Sequence, residues 1–233
     1  MYYDLHVHTN LSVGENSLDE TIDFCRKLGI EGVGIAKFFT TMDELKWDIP
    51  EKYELDIVKV LVIKANTIEE LEKNVRKTRN QAEVIIVHGG DYEINRAACE
   101  SSYVDILAHP ELGRKDSGLD HICMKAAQEN NVAIEINFRE ILESYKKNRV
   151  YVLSSMRENI RLCKKYGTGV ITSSGAYSKW GLRSGRELAS IASVLGLELG
   201  EAIASVSTIP EALVKNNREK LADRKWEGVT VVE

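Results

Sequence analysis

The 233-residue sequence predicts a single α/β domain: a TIM-like barrel of about seven parallel strands, with helices outside and a helical C-terminal tail. Two observations support this fold class. Short runs rich in Val and Ile alternate with amphipathic stretches at roughly the spacing of one β-α unit. Several of these runs are apolar throughout, as parallel strands are when both faces of the sheet are buried. Repeated right-handed β-α units close naturally into a barrel.

The predicted strands follow one another along the chain, and stretches of helical character separate them. They are residues 2–7, 32–36, 57–65, 84–88, 104–109, 132–137 and 169–174. An eighth strand could be sought at residues 202–207, but the Ala-rich neighbourhood after Leu199 is more typical of a helix. We therefore expect seven strands in one domain that spans residues 1–233, because no linker, repeat or low-complexity segment divides the chain.

Capping residues mark the beginning of the predicted helices. Ser17 precedes an amphipathic stretch that ends at Gly29, and Thr67 precedes another whose first turn is acidic. The acidic start suits the positive end of the helix dipole. The C-terminal tail, residues 208–225, also has helical character, with Pro210 in its first turn.

Composition limits the classes of function. The hydrophobic fraction of 43% and the charged fraction of 29% are those of a globular protein, and no apolar run reaches the ~18 residues of a membrane span. No signal region is recognisable and the four cysteines are scattered, so we expect reduced core thiols and a cytoplasmic location. A net charge of −5 argues against a protein that coats nucleic acid by bulk charge alone. Local basic clusters at residues 73–79 and 157–165 are interpreted as solvated helix faces.

Four of the five histidines fall at the predicted carboxyl ends of strands, where barrels of this type build their sites. His6 and His8 have the i, i+2 spacing that places both side chains on one face of a strand. His88 and His109 end the fourth and fifth strands. Imidazole is the commonest side-chain metal ligand, so this rim is the candidate functional site.

The segments "DLHVHT" (4–9), "ILAHPE" (106–111) and "IEIN" (134–137) resemble the polymerase-and-histidinol-phosphatase (PHP) superfamily, whose seven-stranded barrels bind a metal cluster on this rim. The resemblance implies further ligands that this chain lacks. Phe38 stands where the superfamily has a histidine, and Lys64 where it has a glutamate. Ser174 and Ala176 replace the aspartate and histidine of the seventh strand.

These replacements predict a site without catalytic metal. A metal cluster needs carboxylates to offset its charge, and the ammonium of Lys64 repels a cation. We therefore assign no catalytic residue, no cofactor and no metal ligand to the chain. The remaining candidates for one adventitious ion are His6, His8, His88 and His109.

Longer segments resemble the ribonuclease P protein component 3 family: residues 94–121, 132–142, 173–197 and 204–219. The run "PELGRKDSGLDH" (110–121) is long, polar and specific. The resemblance implies a protein subunit of ribonuclease P, the ribonucleoprotein that removes 5′ leaders from precursor tRNA with chemistry carried by its RNA and by magnesium bound to that RNA. The implied partners are the ribonuclease P RNA, protein component 2 with two copies of each protein, other ribonuclease P proteins and precursor tRNA, with no membrane.

Basic residues in or next to these segments are the predicted RNA contacts, because guanidinium and ammonium groups held in rim loops can neutralise phosphates. They are Arg96, Arg114, Lys115, Arg139, Lys179 and Arg183. For Arg96 and Arg114 an internal salt bridge, for instance to Glu111 or Asp116, is the alternative.

Two other functions stay open at this point. The chain could be a free-standing, metal-dependent PHP phosphoesterase or nuclease that uses the remaining histidines. The residues at positions 38, 64, 174 and 176 argue against this enzyme, because they cannot replace the missing ligands. It could also be a scaffold that binds only protein, which would leave the rim cations without a role.

Overall fold

The computed structural model describes residues 1–50 and 52–223, and its centre is a sheet of seven parallel strands in sequential order. The strands are β1 (Tyr3–His8), β2 (Gly32–Phe38), β3 (Asp56–Ile63), β4 (Val84–His88), β5 (Ile106–Ala108), β6 (Ala133–Asn137) and β7 (Val170–Ser173). All seven predicted strands are present, which confirms the TIM-like fold class. The largest difference in length is at β5, which keeps three residues of the six expected.

Helices follow the strands and surround the barrel. They are α1 (Leu18–Lys27), α2 (Ile68–Thr78), α3 (Tyr92–Cys99), α4 (His121–Glu129), α5 (Phe138–Glu143), α6 (Lys147–Tyr166), α7 (Gly185–Leu195), α8 (Leu199–Ala204) and α9 (Thr208–Asp223), with short 3₁₀ turns at Arg79–Gln81 and Lys179–Gly181. The predicted caps are confirmed: the Ser17 hydroxyl accepts from Glu20 N, and the Thr67 hydroxyl accepts from Glu70 N. The last two residues of the predicted tail helix, 224 and 225, lie outside the described residues.

The seam between β1 and β7 is closed in two different ways. Near the carboxyl ends of the strands, His8 N donates to Ala176 O at 2.8 Å. Near the amino ends, a turn after α8 is inserted: Thr172 N donates to Ser205 O, and Tyr3 N donates to Val206 O. The segment considered as an eighth strand is therefore helix and turn, and its carbonyls satisfy both edge strands.

Side chains of the strands alternate between the barrel interior and the helical layer. On β3, Val60 and Val62 belong to the interior cluster, whereas Leu61 and Ile63 pack with the residues of the surrounding helices. A register shift in β1 between Asp4 and Val7 interrupts this alternation. As a result, the consecutive residues Leu5 and His6 both point into the barrel. The irregularity thereby places the two histidines of β1 above the interior core.

The amino end of the barrel is sealed by α9. Asp105 accepts from Asn217 Nδ2 at 2.9 Å and from Ile85 N at 2.7 Å, and it also binds the buried guanidinium of Arg79. Arg218 donates to Asp56 at 2.7 Å and to Glu83 at 2.5 Å. These ion pairs hold α9 across the bottom, and the carboxyl rim lies at the other end.

The cysteines and the helices agree with two of the sequence expectations. All four cysteines are free and buried, as predicted for reduced core thiols: Cys25, Cys99, Cys123 and Cys163. Within the described part of the chain, no helix combines the length and the apolar character that a membrane crossing requires.

Candidate functional site

The four histidines predicted to share the carboxyl rim form one contiguous cluster. The ring centroids of His6 and His8 are 5.1 Å apart, those of His6 and His109 5.6 Å, and those of His88 and His109 4.8 Å. All but His88 are buried. His109 adopts a left-handed backbone conformation with φ of 54°, which is uncommon for a residue with a side chain. The sequence prediction of a histidine rim is confirmed.

Two carboxylates lie beside this cluster: that of Glu135 contacts His6, and Glu140 Oε1 lies 3.4 Å from His109 Nδ1. His6 Nδ1 is 2.9 Å from Glu135 Oε1, and Asn137 Nδ2 donates to Glu135 Oε2 at 2.9 Å. Burial alone would raise the pKa of Glu135, but the charge and hydrogen bond of His6 outweigh burial and hold the pKa at about 2. Glu135 is therefore ionised, and both of its oxygens are engaged within the protein.

Phe38 occupies the position where the PHP pattern has a histidine, and it packs against the cluster. Its ring stacks on His8 with centroids 5.2 Å apart and lies 6.1 Å from the ring of His88. Burial and the nearby charge of His6 lower the pKa of His8 to about 2, so His8 is neutral and its Nδ1 donates to Ala36 O at 3.1 Å. Its Nε2 is buried without a hydrogen-bond partner among the described residues.

The turn after β7 contacts the start of β1 instead of offering ligands. Ser174 N and His6 N donate to Asp4 Oδ1 at 3.1 and 3.3 Å, and Ser174 Oγ accepts from Ala176 N. Asp4 is fully buried, and burial raises its pKa to about 6. The segment that carries two ligands in the PHP pattern thus serves here to hold the barrel seam together.

The donor set does not fit a metal cluster. Among the described residues, one group has donor atoms within 4.8 Å of one another, and it consists of His6, His109 and Glu135. The single carboxylate of this group cannot both offset and bridge several ions, and it is already hydrogen-bonded. The Glu140 carboxylate, 3.4 Å from His109 Nδ1, is paired with Arg139. Lys64 adds positive charge near the rim. Burial lowers the pKa of His88, and the charge of the Lys64 ammonium lowers this pKa further. At most a single ion could be held.

Arg114 and Lys115 lie in the loop after β5, as predicted, but their environments differ. Arg114 donates to both oxygens of Asp116, at 2.6 and 3.0 Å, and to Gly90 O at 3.4 Å. This is the internal salt bridge proposed as the alternative for Arg114. Lys115 is exposed and makes no hydrogen bond or ion pair with any described residue.

The prediction that Arg96 lies in a rim loop was wrong. The Asp91 carboxylate caps a helix immediately after β4, so Arg96 lies in the last turn of α3. Its Nε donates to Glu100 Oε1 at 2.9 Å, one helical turn away. An internal ion pair was the alternative hypothesis for this residue, and the structure supplies one.

Arg139, Lys179 and Arg183 lie at the rim and have internal partners, but Arg139 lies in α5 and Lys179 in a 3₁₀ turn, and not in loops as predicted. The Arg139 guanidinium lies 4.0 Å from the Tyr177 ring centre and pairs with Glu140. Lys179 Nζ donates to a carboxylate oxygen of α1 at 2.9 Å. Arg183 Nη1 donates to backbone carbonyls at 2.7 and 2.9 Å. These contacts fix the three cations in place and occupy part of their hydrogen-bonding capacity.

Sequence reasoning missed the aromatic residues that accompany these cations. Tyr177 lies under Arg139, and Phe138 lies 4.9 Å from the Arg183 guanidinium. Lys179 lies 5.5 Å from the ring of Trp180, which is 70% exposed. The "FRE" and "YSKW" segments hold the signal, because an aromatic residue is adjacent to a cation in each. The pairs between different elements, Arg139 with Tyr177 and Arg183 with Phe138, can be identified only in the folded structure.

The seven-stranded barrel and its histidine rim define a PHP-like barrel that lacks part of the ligand set of the PHP pattern. Residues 1–222 match the family model described as RNase P subunit p30, and the chain belongs to that family. This confirms the resemblance drawn from the sequence segments.

Individual relatives agree with this assignment. Ribonuclease P protein component 3 of Methanococcoides burtonii is 38% identical, and the match covers 100% of this chain and 94% of the relative. The protein of the same name from Methanosarcina barkeri is 35% identical, with 100% and 96% covered. A chain in the cryo-EM structure of archaeal ribonuclease P with mature tRNA is 28% identical, with a TM-score of 0.80 over 98% of this chain and 97% of that chain.

A more distant structure shows the shared fold alone. A putative histidinol phosphatase from Listeria monocytogenes aligns with a TM-score of 0.55 at 8% identity, and the match covers 77% of this chain and 97% of that one. This similarity agrees with the PHP-like barrel expected from the histidine motifs.

Proposed function

We propose that this chain works in ribonuclease P without chemistry of its own, while the RNA subunit cleaves the 5′ leader from precursor tRNA. The chain is a protein subunit of ribonuclease P, a tRNA-processing endoribonuclease, since family membership extends over residues 1–222. The observation that carries this function is the match to a chain of archaeal ribonuclease P over 98% of the present chain. The rim supports the non-catalytic role, because Phe38 and Lys64 stand in ligand positions.

The physical role of such a subunit is to stabilise the folded RNA. RNA phosphates repel one another as helices pack together, and fixed cations relieve that repulsion. The proposed partners are the ribonuclease P RNA, protein component 2, the other ribonuclease P proteins and precursor tRNA. With protein component 2 the chain would form a complex that contains two copies of each protein. Magnesium belongs to the RNA in this proposal, and the location is cytoplasmic.

Omission from a reconstituted enzyme tests the proposal. Ribonuclease P assembled from its RNA and proteins should need more magnesium for precursor-tRNA cleavage when this chain is left out. Adding the chain back should restore the lower requirement. An enzyme whose magnesium dependence is the same with and without the chain would contradict the proposed role.

The interaction with protein component 2 is tested separately. Size-exclusion chromatography of the two proteins at micromolar concentration should show one complex, and light scattering should give the mass of two copies of each. Independent migration of the two proteins would remove this partner from the proposal and leave the reconstitution result to decide the role of the chain.

A further inference from the structure

A groove on the outside of the barrel, next to the loop after β5, is lined by basic side chains. It has a volume of about 790 Å³ and lies between α6, the loop around Lys115 and the end of α7. The side chains that decide its charge are Lys115, Asp116, Arg157, Glu158, Arg161 and Lys164. The sequence pattern of α6 in this region was interpreted as an ordinary solvated helix face.

The charge of α6 is opposite to that of the whole protein. In its 20 residues this helix has one carboxylate, Glu158, and six basic residues: Lys147, Arg149, Arg157, Arg161, Lys164 and Lys165. The complete chain has a net charge of −5. Basic residues therefore outnumber carboxylates on this helix, although carboxylates outnumber basic residues in the chain as a whole.

The carboxylates that line the groove are already paired. Glu158 accepts two hydrogen bonds from Arg161, at 2.8 and 2.6 Å. Asp116 accepts two from Arg114, at 2.6 and 3.0 Å. Lys164 is also compensated, because its Nζ lies 3.5 Å from each of two carboxylates at the start of α8.

Two cations of the groove are left uncompensated. Lys115 and Arg157 are both exposed, and neither forms a hydrogen bond or ion pair with any residue that the structure describes. Their backbones are held next to each other, since Ser155 Oγ donates to Asp116 O at 3.0 Å and so ties the loop to α6. The rim cations differ, because Arg139, Lys179 and Arg183 each have an internal partner.

We infer that this groove binds the phosphodiester backbone of RNA, with Lys115 and Arg157 as its phosphate contacts. The inference rests on the proposed function and names a partner surface for it. The Lys115 ammonium on the loop and the Arg157 guanidinium on α6 both line the groove, and each can engage a phosphate, the guanidinium bidentately. Ile160 and Leu195 supply the apolar lining that ribose can contact. The RNA backbone is favoured over an acidic protein because the unpaired charges are positive and the proposed function places the chain beside an RNA.

The test uses the reconstituted ribonuclease P protein complex and a ribonuclease P RNA transcript. The variant Lys115→Ala/Arg157→Ala should weaken RNA binding and reduce the slope of log affinity against log salt by about one to two units, because each lost phosphate contact contributes about 0.7–0.9. The matched control is Lys73→Ala/Lys77→Ala, which removes the same charge from exposed positions of α2. The control should leave the salt slope unchanged.

The possible results distinguish a failure of the groove as an RNA site from a failure of the proposed function. A variant with the wild-type salt slope, an unchanged melting temperature and normal complex assembly overturns the groove as an RNA site. A variant that loses a protein partner while its RNA slope is unchanged also overturns it and assigns the groove to protein docking. A wild-type chain that fails to alter the magnesium requirement of the enzyme contradicts the proposed function itself, whatever the variant does.

Discussion

The ring of Phe38 lies almost parallel to the imidazole of His8, with 7° between the planes and 5.2 Å between the centroids. A histidine in the same position would add a ligand to the cluster, whereas the phenyl ring adds an apolar face beside a buried nitrogen. His8 is accordingly neutral, with a pKa lowered to about 2 by burial and by the charge of His6. The rim is packed as a core and not as a coordination sphere.

The purified chain should show no phosphoesterase turnover when Mn²⁺ or Zn²⁺ is added. Both carboxylates near the histidines are engaged within the protein: Glu135 is held by His6 and Asn137, and Glu140 is paired with Arg139. Hydrolysis of a chromogenic phosphodiester should stay at the background rate of buffer with metal. Turnover that disappears in both His6→Ala and His8→Ala, with the melting temperatures unchanged, would establish the enzyme hypothesis instead.

The fold could be predicted further than the site. The number of strands could be predicted from β-branched runs, because parallel strands buried on both faces are mostly apolar. The histidine rim could be predicted because the carboxyl ends of parallel strands lie at one end of a barrel. The location of Arg96 could not be predicted reliably, because the Asp91 cap starts a helix where a loop was expected. The contacts of Lys179 with Glu20 and of Arg139 with Tyr177 also could not be predicted, since these partners lie on elements distant in sequence.

Glu111 should make the stability of the protein depend on pH. It is fully buried, its Oε1 has no hydrogen-bond partner among the described residues, and burial raises its pKa to about 8. The native state therefore holds a proton that the unfolded state releases near its ordinary pKa of about 4.3. The contribution of Glu111 to stability is therefore full below that value and is lost as the pH rises towards 8. The variant Glu111→Gln should reduce this loss, measured by urea unfolding at pH 5.5 and pH 8.

The matched control for Glu111 is Glu93→Gln, which removes an exposed carboxylate of α3. Its difference from the wild type should be small and similar at both pH values. If Glu111→Gln and the wild type lose the same stability between pH 5.5 and pH 8, the Glu111 carboxyl is not protonated in the native state.

The ion pair beneath the barrel should contribute strongly to stability. Asp105 compensates the buried Arg79 guanidinium and also accepts from Asn217 of α9. Asp105→Ala should lower the free energy of unfolding by about 3–5 kcal/mol, because it leaves a buried charge without its partner. Asn217→Ala, which keeps the ion pair, should cost about 1–2 kcal/mol. Denaturant unfolding measures both, and equal losses for the two variants would contradict a dominant role for the ion pair.

Lys179 and Arg183 provide the test of the rim as an RNA surface. Both lie beside the turn that replaces the last two ligands of the PHP pattern, and both are held in place, Lys179 by Glu20 and Arg183 by backbone carbonyls. If they neutralise phosphates, Lys179→Ala/Arg183→Ala should raise the magnesium concentration needed for precursor-tRNA cleavage in reconstituted ribonuclease P, since the ion must replace the missing charge.

The control for this variant is Glu20→Gln, which weakens the support of Lys179 but keeps both cations. It should leave the magnesium requirement close to that of the wild type, because the ammonium still lies at the rim. The fold should survive in every case, as substitutions at partly exposed positions away from buried networks rarely cost more than about 1 kcal/mol. A double variant with a normal melting temperature and an unchanged magnesium requirement would exclude these two residues from the RNA interface, and Arg139 and the α6 groove would then remain as candidates for phosphate contact.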